Sequence, residues 1–122
     1  MPEPFTVIDD AAIEAQVRTF YGRARLDPDL GPVFEAAVED WEAHFQVLTA
    51  FWASVMLGDR RYRGDALAAH RRHPIRPEFF DRWLAIWGET ADALFAPELA
   101  EAFKARAAMI AESLKLGLFF RP

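Results

Sequence analysis

The stretch LAAHRRHPIRPEFFDRWLAIW, residues 67 to 87, decides how the rest of the chain is interpreted. It begins as a short apolar helical turn carrying His70, is interrupted by two prolines, and continues as a helix rich in large aromatic residues, Phe79, Phe80, Trp83 and Trp87. A histidine beside a wall of flat apolar side chains suits a flat, apolar, metal-containing ligand. It also fits an ordinary histidine near an aromatic core, so this stretch alone leaves both interpretations open.

Composition predicts one soluble globular domain spanning residues 1–122. Hydrophobic residues make up 52% of the chain and charged residues 27%, a balance that argues against disorder. A net charge of -5 argues against a nucleic-acid partner, whose footprint would be basic. The N-terminus lacks the features of a signal peptide and no apolar run reaches 18 residues, so we expect no membrane association and a cytoplasmic location.

Two features of the composition bear on chemistry. The 11 Phe, 4 Trp and 2 Tyr provide more flat apolar surface than a helical domain of this size needs. The absence of cysteine removes disulfides, thiolate zinc sites and thiol catalysis together.

Apolar residues three and four positions apart predict an all-α chain of five or six helices. Asp9 or Asp10 caps the first helix, which Asp27-Pro28 ends. The segment LGPVF, residues 30 to 34, predicts a sharp turn that delivers Phe34 inward. A longer helix then begins after Asp40 and ends at Gly58. Its inward positions include Trp41, His44, Phe45, Leu48, Phe51 and Trp52.

The second half begins with a short turn that Asp65 caps. His73 directly precedes Pro74, which disfavours helical geometry and places His73 in a connecting loop. Pro77 suits the first turn of the aromatic helix, which runs to Phe95. A last helix follows from Pro97, with an inward stripe of Leu99, Phe103, Ala107, Ile110, Leu114 and Leu118.

The polar residues on the apolar helix faces are the candidate functional residues. His44 and His70 can point into a shared cavity, joined by Tyr21 and Trp83. A single such histidine is more often a core residue than a ligand. Burying imidazole, indole N–H and phenol O–H groups together is costly unless something accepts their hydrogen bonds, so the combination favours a ligand.

Other chemistries find little support. Ser54 and Ser113 have no nearby base in the sequence, glycine-rich phosphate loops and HExxH are missing, and Glu35, Glu39, Asp40 and Glu42 are typical of a solvated helix approach. A zinc or non-haem iron site would need a third buried ligand, and none is evident.

Eight short signatures in one order resemble the truncated, two-over-two haemoglobins of group III. They are FY at 20 and 21, LGPVF at 30 to 34, W-x-x-H at 41 to 44, FW at 51 and 52, Y-x-G at 62 to 64, H-x-x-x-P-x-x-P at 70 to 77, F-x-x-W at 80 to 83 and RAAMIAESL at 106 to 114. The resemblance covers residues 10 to 118, and the lack of Gly-Gly pairs agrees with group III. His73 departs from the pattern, since similar proteins usually carry an apolar residue there.

The resemblance implies an all-α, globin-like, two-over-two sandwich around haem b (iron protoporphyrin IX). His70 would be the proximal iron ligand, Tyr21 and Trp83 would donate hydrogen bonds to the distal ligand, and His44 would act as a donor or a gate. The implied haem contacts are Phe34, Leu48, Trp52, Tyr62, Leu67, Arg71, Phe79, Phe80 and Trp83. The propionates would meet Tyr62 or one of Arg61, Arg63, Arg71, Arg72 and Arg76, although each of these arginines also fits a solvated loop.

Three functions follow as hypotheses. The first is reversible binding of O2, NO or CO at a five-coordinate iron, as in oxygen transport. The second is an oxidoreductase that acts on NO, as an NO dioxygenase, or on peroxide, with a separate reductase. The third is a haem-free helical interaction module. The sequence does not separate the first two, because donors that hold O2 also polarise a peroxide.

Overall fold

The computed structural model describes residues 3–62, 64–71, 73 and 75–119. Within them the chain forms α1 (Asp10–Ala24), α2 (Leu30–Ala37), α3 (Trp41–Leu57), α4 (Ala66–Arg71), α5 (Pro77–Leu94) and α6 (Pro97–Phe119). The described part contains no β-strand, and an isolated bridge joins Phe5 to Phe95. The all-α prediction is confirmed.

The helices pack as two layers of two. α1 lies against α3, α5 lies against α6, and α1 also contacts α5, which joins the layers. This arrangement is the predicted two-over-two sandwich. The shorter helices α2 and α4 sit at its edges, α2 against α5 and α4 against α6. None of the described helices is long and apolar enough to cross a membrane.

The caps follow the sequence closely. The Asp9 carboxylate accepts a hydrogen bond from the Ala12 N–H at 2.9 Å, and the Asp40 carboxylate accepts one from Ala43 at 3.1 Å. Gly58 ends α3 with a φ of 72°, a left-handed conformation that glycine adopts without steric cost. These capping predictions are confirmed.

The prediction of a sharp turn at residues 30 to 34 is wrong, because LGPVF forms the first turns of α2. Pro32 is tolerated there because N–H groups in the first helical turn have no partner in the helix. Gly31 is required for packing: a Cβ at this position would lie 2.5 Å from the carbonyl oxygen of Arg25. Phe34 nevertheless points inward and meets the ring of Tyr21.

The core is built around a stack of indole rings. The rings of Trp52 and Trp87 lie 4.3 Å apart, and Trp83 continues the stack 5.6 Å from Trp87. The Trp87 indole N–H donates to the Phe103 carbonyl oxygen, and the Gln16 amide donates to the Trp87 carbonyl oxygen. These contacts bind α1, α3, α5 and α6 together.

A buried carboxylate connects the start of α2 to α5. Asp27 accepts hydrogen bonds from the backbone N–H groups of Asp29 and Leu30, both at 3.0 Å, and from Arg82 at 2.5 Å. Burial alone raises the pKa of Asp27, but these hydrogen bonds outweigh it and leave the pKa below its usual value of 3.8. A lowered folded-state pKa stabilises the protein above about pH 4, and this stabilisation is lost as the pH falls through the folded-state value.

We expect Asp27→Ala to lower the free energy of unfolding at pH 7 by about 2 kcal/mol or more, since it removes a helix cap and leaves Arg82 without its partner. The difference from wild type should narrow below pH 4. Urea denaturation at pH 7 and pH 3 measures both effects. Asp29→Ala is the matched control, because the Asp29 side chain makes no capping hydrogen bond. If Asp27→Ala lowered the free energy of unfolding equally at pH 7 and pH 3, the stabilising role of the ionised Asp27 carboxylate would be contradicted.

Candidate functional site

A cavity of about 280 Å³ lies between the two layers and is walled by residues of all six helices. Most of its wall is apolar and aromatic, with contributions from Phe20, Phe34, Phe51, Trp52, Phe79, Phe80, Trp83 and Trp87. The polar groups at the wall include Tyr21, His44, Tyr62, His70 and His73. An apolar pocket with a few convergent polar groups is the usual form of a cofactor site.

His70 reaches the cavity from α4. The carboxylate of Asp65 caps this helix by accepting from the Ala68 N–H at 3.0 Å. Nδ1 of His70 lies 2.6 Å from the carbonyl oxygen of Ala66, one helical turn earlier. Because a carbonyl oxygen can only accept, Nδ1 carries a proton, and in the neutral ring this leaves the lone pair on Nε2. A neutral imidazole oriented in this way is the usual form of a metal-ligating histidine.

His73 also lines the cavity, from the loop between α4 and α5 in which it was predicted to lie. Its backbone N–H donates to the His70 carbonyl oxygen at 3.2 Å, and its own carbonyl oxygen accepts from Ile75 at 2.9 Å. The half-buried imidazole makes no hydrogen bond to another described residue. The imidazoles of His44, His70 and His73 all line the cavity, and among the described contacts only that of His70 is oriented by a hydrogen bond.

Tyr21 is held by aromatic rings alone. The rings that pack against it are Phe20, Phe34, Trp41, His44 and Phe45, at centroid distances of 4.9 to 5.9 Å. Burial raises the pKa of Tyr21, so its hydroxyl stays protonated at neutral pH. This hydroxyl has no hydrogen-bond partner among the described residues. Tyr21 is thus a fixed donor at the cavity wall.

Trp83 and His44 complete the predicted polar set. Trp83 lies at the end of the indole stack, and its N–H has no hydrogen-bond partner in the described part of the chain. His44 projects from α3, and its ring packs against Tyr21 and Trp41. Burial lowers the pKa of His44, which keeps the ring neutral at pH 7. The structure therefore brings Tyr21, His44, His70 and Trp83 to one cavity.

The predicted cofactor contacts divide into two groups. Seven of them line the cavity: Phe34, Leu48, Trp52, Tyr62, Phe79, Phe80 and Trp83. Leu67 does not, because its side chain lies against α6, where a Cβ at Gly117 would come within 2.7 Å of it. The cavity face of α4 consists instead of Ala66, Ala69 and His70, at helical spacing.

The arginines near the cavity are placed differently from one another. Arg61 forms ion pairs with Asp10 and Asp59, both at 2.7 Å. Arg76 lies over the ring of Phe79, with its guanidinium 4.6 Å from the ring centroid. Arg71 is exposed at the end of α4 and does not line the cavity. Arg63 and Arg72 lie outside the described residues.

Several wall residues were not predicted from the sequence, namely Val33, Ala37, Val38, Val47, Ile75 and Ala111. Periodicity identifies apolar positions but does not distinguish a cavity wall from packed core. The Ala66 carbonyl oxygen was also not identified from the sequence as the hydrogen-bond partner of His70. Ala66 lies four residues before His70, a helical spacing that brings the two within reach of each other. Among the described residues no three His, Asp or Glu side chains cluster as a metal site.

Comparison with known proteins gives a consistent result. No family model matches the chain. A group 3 truncated haemoglobin of Campylobacter jejuni is 33% identical in a 120-residue alignment, and the match covers 94% of each chain. A crystal structure of a group III truncated haemoglobin from Campylobacter jejuni superposes with a TM-score of 0.90 at 32% identity, over 96% of each chain.

The unpartnered hydroxyl of Tyr21 gives a test of the site that needs no ligand. We expect Tyr21→Phe to change the free energy of unfolding by less than about 0.5 kcal/mol, or to raise it, since the hydroxyl contributes no internal hydrogen bond. Chemical denaturation measures the free energy of unfolding. Phe20→Ala is the comparison, because it enlarges a cavity in the core and should lower the free energy of unfolding by about 3 kcal/mol or more. A loss above about 1 kcal/mol for Tyr21→Phe would show that the hydroxyl has a protein partner.

Proposed function

The chain belongs to the group III truncated haemoglobins, and from that membership we propose that it binds haem through His70 and takes up O2 and other diatomic ligands. The family implies a haem cofactor. The role of each residue is our proposal. The observation that carries it is the hydrogen bond from Nδ1 of His70 to the Ala66 carbonyl oxygen, which leaves Nε2 free as a ligand in an aromatic cavity.

The cavity fits a haem in its chemistry. A porphyrin is flat and apolar over most of its surface, and the wall offers Phe34, Trp52, Phe79 and Phe80. We propose these residues and Leu48 as the macrocycle contacts, with Tyr62 or Arg71 near the propionates. The chain has no cysteine, so it cannot form the thioether links of a c-type haem, which supports haem b.

His70 would hold the haem iron through Nε2, and Tyr21 and Trp83 would act on the ligand that the iron binds. When bound, the haem supplies an iron whose remaining coordination position accepts a diatomic ligand. Tyr21 and Trp83 would be available to donate hydrogen bonds to that ligand, because both are neutral donors at the wall and neither has a partner among the described residues. Each aligned donor to a ligand with partial negative charge stabilises it by about 1.5 to 3 kcal/mol, or roughly 10- to 100-fold in dissociation rate.

A haem oxidoreductase acting on NO or peroxide is the second candidate. The observation that favours it is the set of neutral donors Tyr21, His44 and Trp83 around one cavity, since such donors also polarise an O–O bond. The described fold is a globin throughout, so this activity would draw electrons from a separate reductase. A cytoplasmic location and a role in oxygen transport also stay predictions.

The first test identifies the metal ligand. We expect the purified wild-type chain reconstituted with haem to show a haem absorbance spectrum, and His70→Ala to abolish tight haem binding because, within the described part of the chain, it removes the one imidazole that a hydrogen bond orients. His73→Ala, the matched control in the same cavity, should leave the spectrum nearly unchanged. The opposite result for the two variants would make His73 the ligand, and a colourless wild type would favour a haem-free interaction module.

The second test concerns the distal donors. Tyr21→Phe and Trp83→Phe should each speed O2 dissociation about 10-fold or more, because each removes one hydrogen bond to the ligand. CO dissociation should change much less, since CO carries little charge. Stopped-flow and flash-photolysis kinetics measure both gases. Equal effects on the two gases would instead mean that these side chains act by blocking access.

A further inference from the structure

We propose that Trp41 is a positioning residue that holds His44 across the mouth of the cavity, and that Arg25 fixes Trp41 from the solvent side. This inference rests on the proposed function, because His44 matters only if a ligand enters here. Trp41 does not line the cavity itself, but its ring packs against Tyr21 and His44, which do.

The mouth of the cavity lies along α3. His44 is half-buried and lines the cavity, and Val47, three residues further along the helix, lines the same cavity while 53% exposed. Residues three apart share a helix face, so the cavity reaches solvent beside His44. The position of the His44 ring therefore determines how open this path is.

His44 has few restraints of its own. Its imidazole makes no hydrogen bond to another described residue, and the rings that pack against it are Tyr21 at 5.5 Å and Trp41 at 5.9 Å. Tyr21 also contacts Trp41, at 5.5 Å, but without Trp41 it would keep the rings of Phe20, Phe34 and Phe45 as neighbours. Removing Trp41 should therefore release His44 and leave Tyr21 in place.

Trp41 is held from outside by a charged residue. The guanidinium of Arg25 lies 4.1 Å from the centroid of the Trp41 ring. The same guanidinium pairs with Glu35 of α2 at 2.8 Å. Arg25 thus joins the end of α1 and the helix α2 to the first residue of α3. Because Arg25 and Glu35 are exposed, the contacts of Arg25 lie at the surface, and Arg25 can be substituted without disturbing the core.

The chain provides a matched control. Arg18 also bridges α1 and α3, with its guanidinium 4.9 Å over Phe45 and ion pairs to Glu14 and Glu42. It makes the same kind of contact, carries the same charge and does not lie over Trp41. Arg18→Leu removes the guanidinium over Phe45, whereas Arg25→Leu removes the guanidinium over Trp41. The two variants therefore differ mainly in which aromatic ring loses its cation–π contact.

The test measures CO association by flash photolysis of the haem-loaded protein. Trp41→Leu should raise the association rate about 2- to 10-fold. Losing one aromatic pair would shift the His44 ring away from its position across the mouth by about that factor. Trp41→Phe should restore most of the wild-type rate because it keeps an aromatic ring. Arg25→Leu should raise the rate about 2-fold, and Arg18→Leu should not change it. Equal effects of the two arginine variants would overturn the proposal.

Double variants separate positioning from general loosening. In a His44→Leu background, Trp41→Leu should have no further effect, whereas in a Tyr21→Phe background its effect should persist. Additive effects in both backgrounds would show that Trp41 supports the fold and not His44.

A second readout does not depend on haem. NMR line widths of the His44 ring should show faster motion in Trp41→Leu and Arg25→Leu than in Arg18→Leu. Unchanged line widths would overturn the proposal. If the wild-type chain takes up no haem, the proposed function fails, and the NMR comparison alone still decides whether Trp41 holds His44.

Discussion

The hydrogen bond from His70 to the Ala66 carbonyl oxygen is the constraint on which the proposed chemistry depends. It links two residues one turn apart in a helix of six residues, and it fixes both the tautomer and the direction of the ring. α4 is too short to be stable alone, so it relies on the Asp65 cap and on its contact with α6. The packing of Leu67 against Gly117 is one such contact. Leu67 thus supports the proposed metal ligand indirectly, by holding the helix that carries it.

The cavity wall combines two incompatible requirements. Apolar rings exclude water, while the functional groups Tyr21, Trp83 and His44 are polar and lack partners among the described residues. Burying such groups without partners is costly, which is why a helical core usually avoids them. The indole stack offsets part of this cost, because the rings of Trp52, Trp83 and Trp87 bury apolar surface against one another while all three also line the cavity. The core and the site are therefore built from the same side chains.

Most of the fold could be predicted from the sequence, because the helices follow amphipathic spacing and their caps are local. Asp9, Asp40, Gly58 and Pro77 each act through the nearest turn of chain. The predictions that were wrong concern segments whose structure depends on contacts with residues distant in the sequence. LGPVF contains two residues that favour turns, yet Asp27 caps it and Arg82 holds that cap from α5, so it folds as a helix. Leu67 shares a spacing of three with His70, but the proximity of α6 turns it away from the cavity.

The two sides of the site differ in how firmly their residues are held, and this difference follows from the contacts. His70 is oriented by a hydrogen bond and Tyr21 by rings on several sides, so both keep one geometry. His44 has two ring neighbours and no hydrogen bond, and it lies where the cavity reaches solvent. A ligand site needs rigid donors to discriminate and a mobile element to admit the ligand. Of the two ring neighbours of His44, Tyr21 and Trp41, the second also lies under the guanidinium of Arg25 at the surface. If Trp41 positions His44 as proposed, access to the cavity would depend on the His44 ring and not on His70, which its hydrogen bond to the Ala66 carbonyl oxygen orients separately.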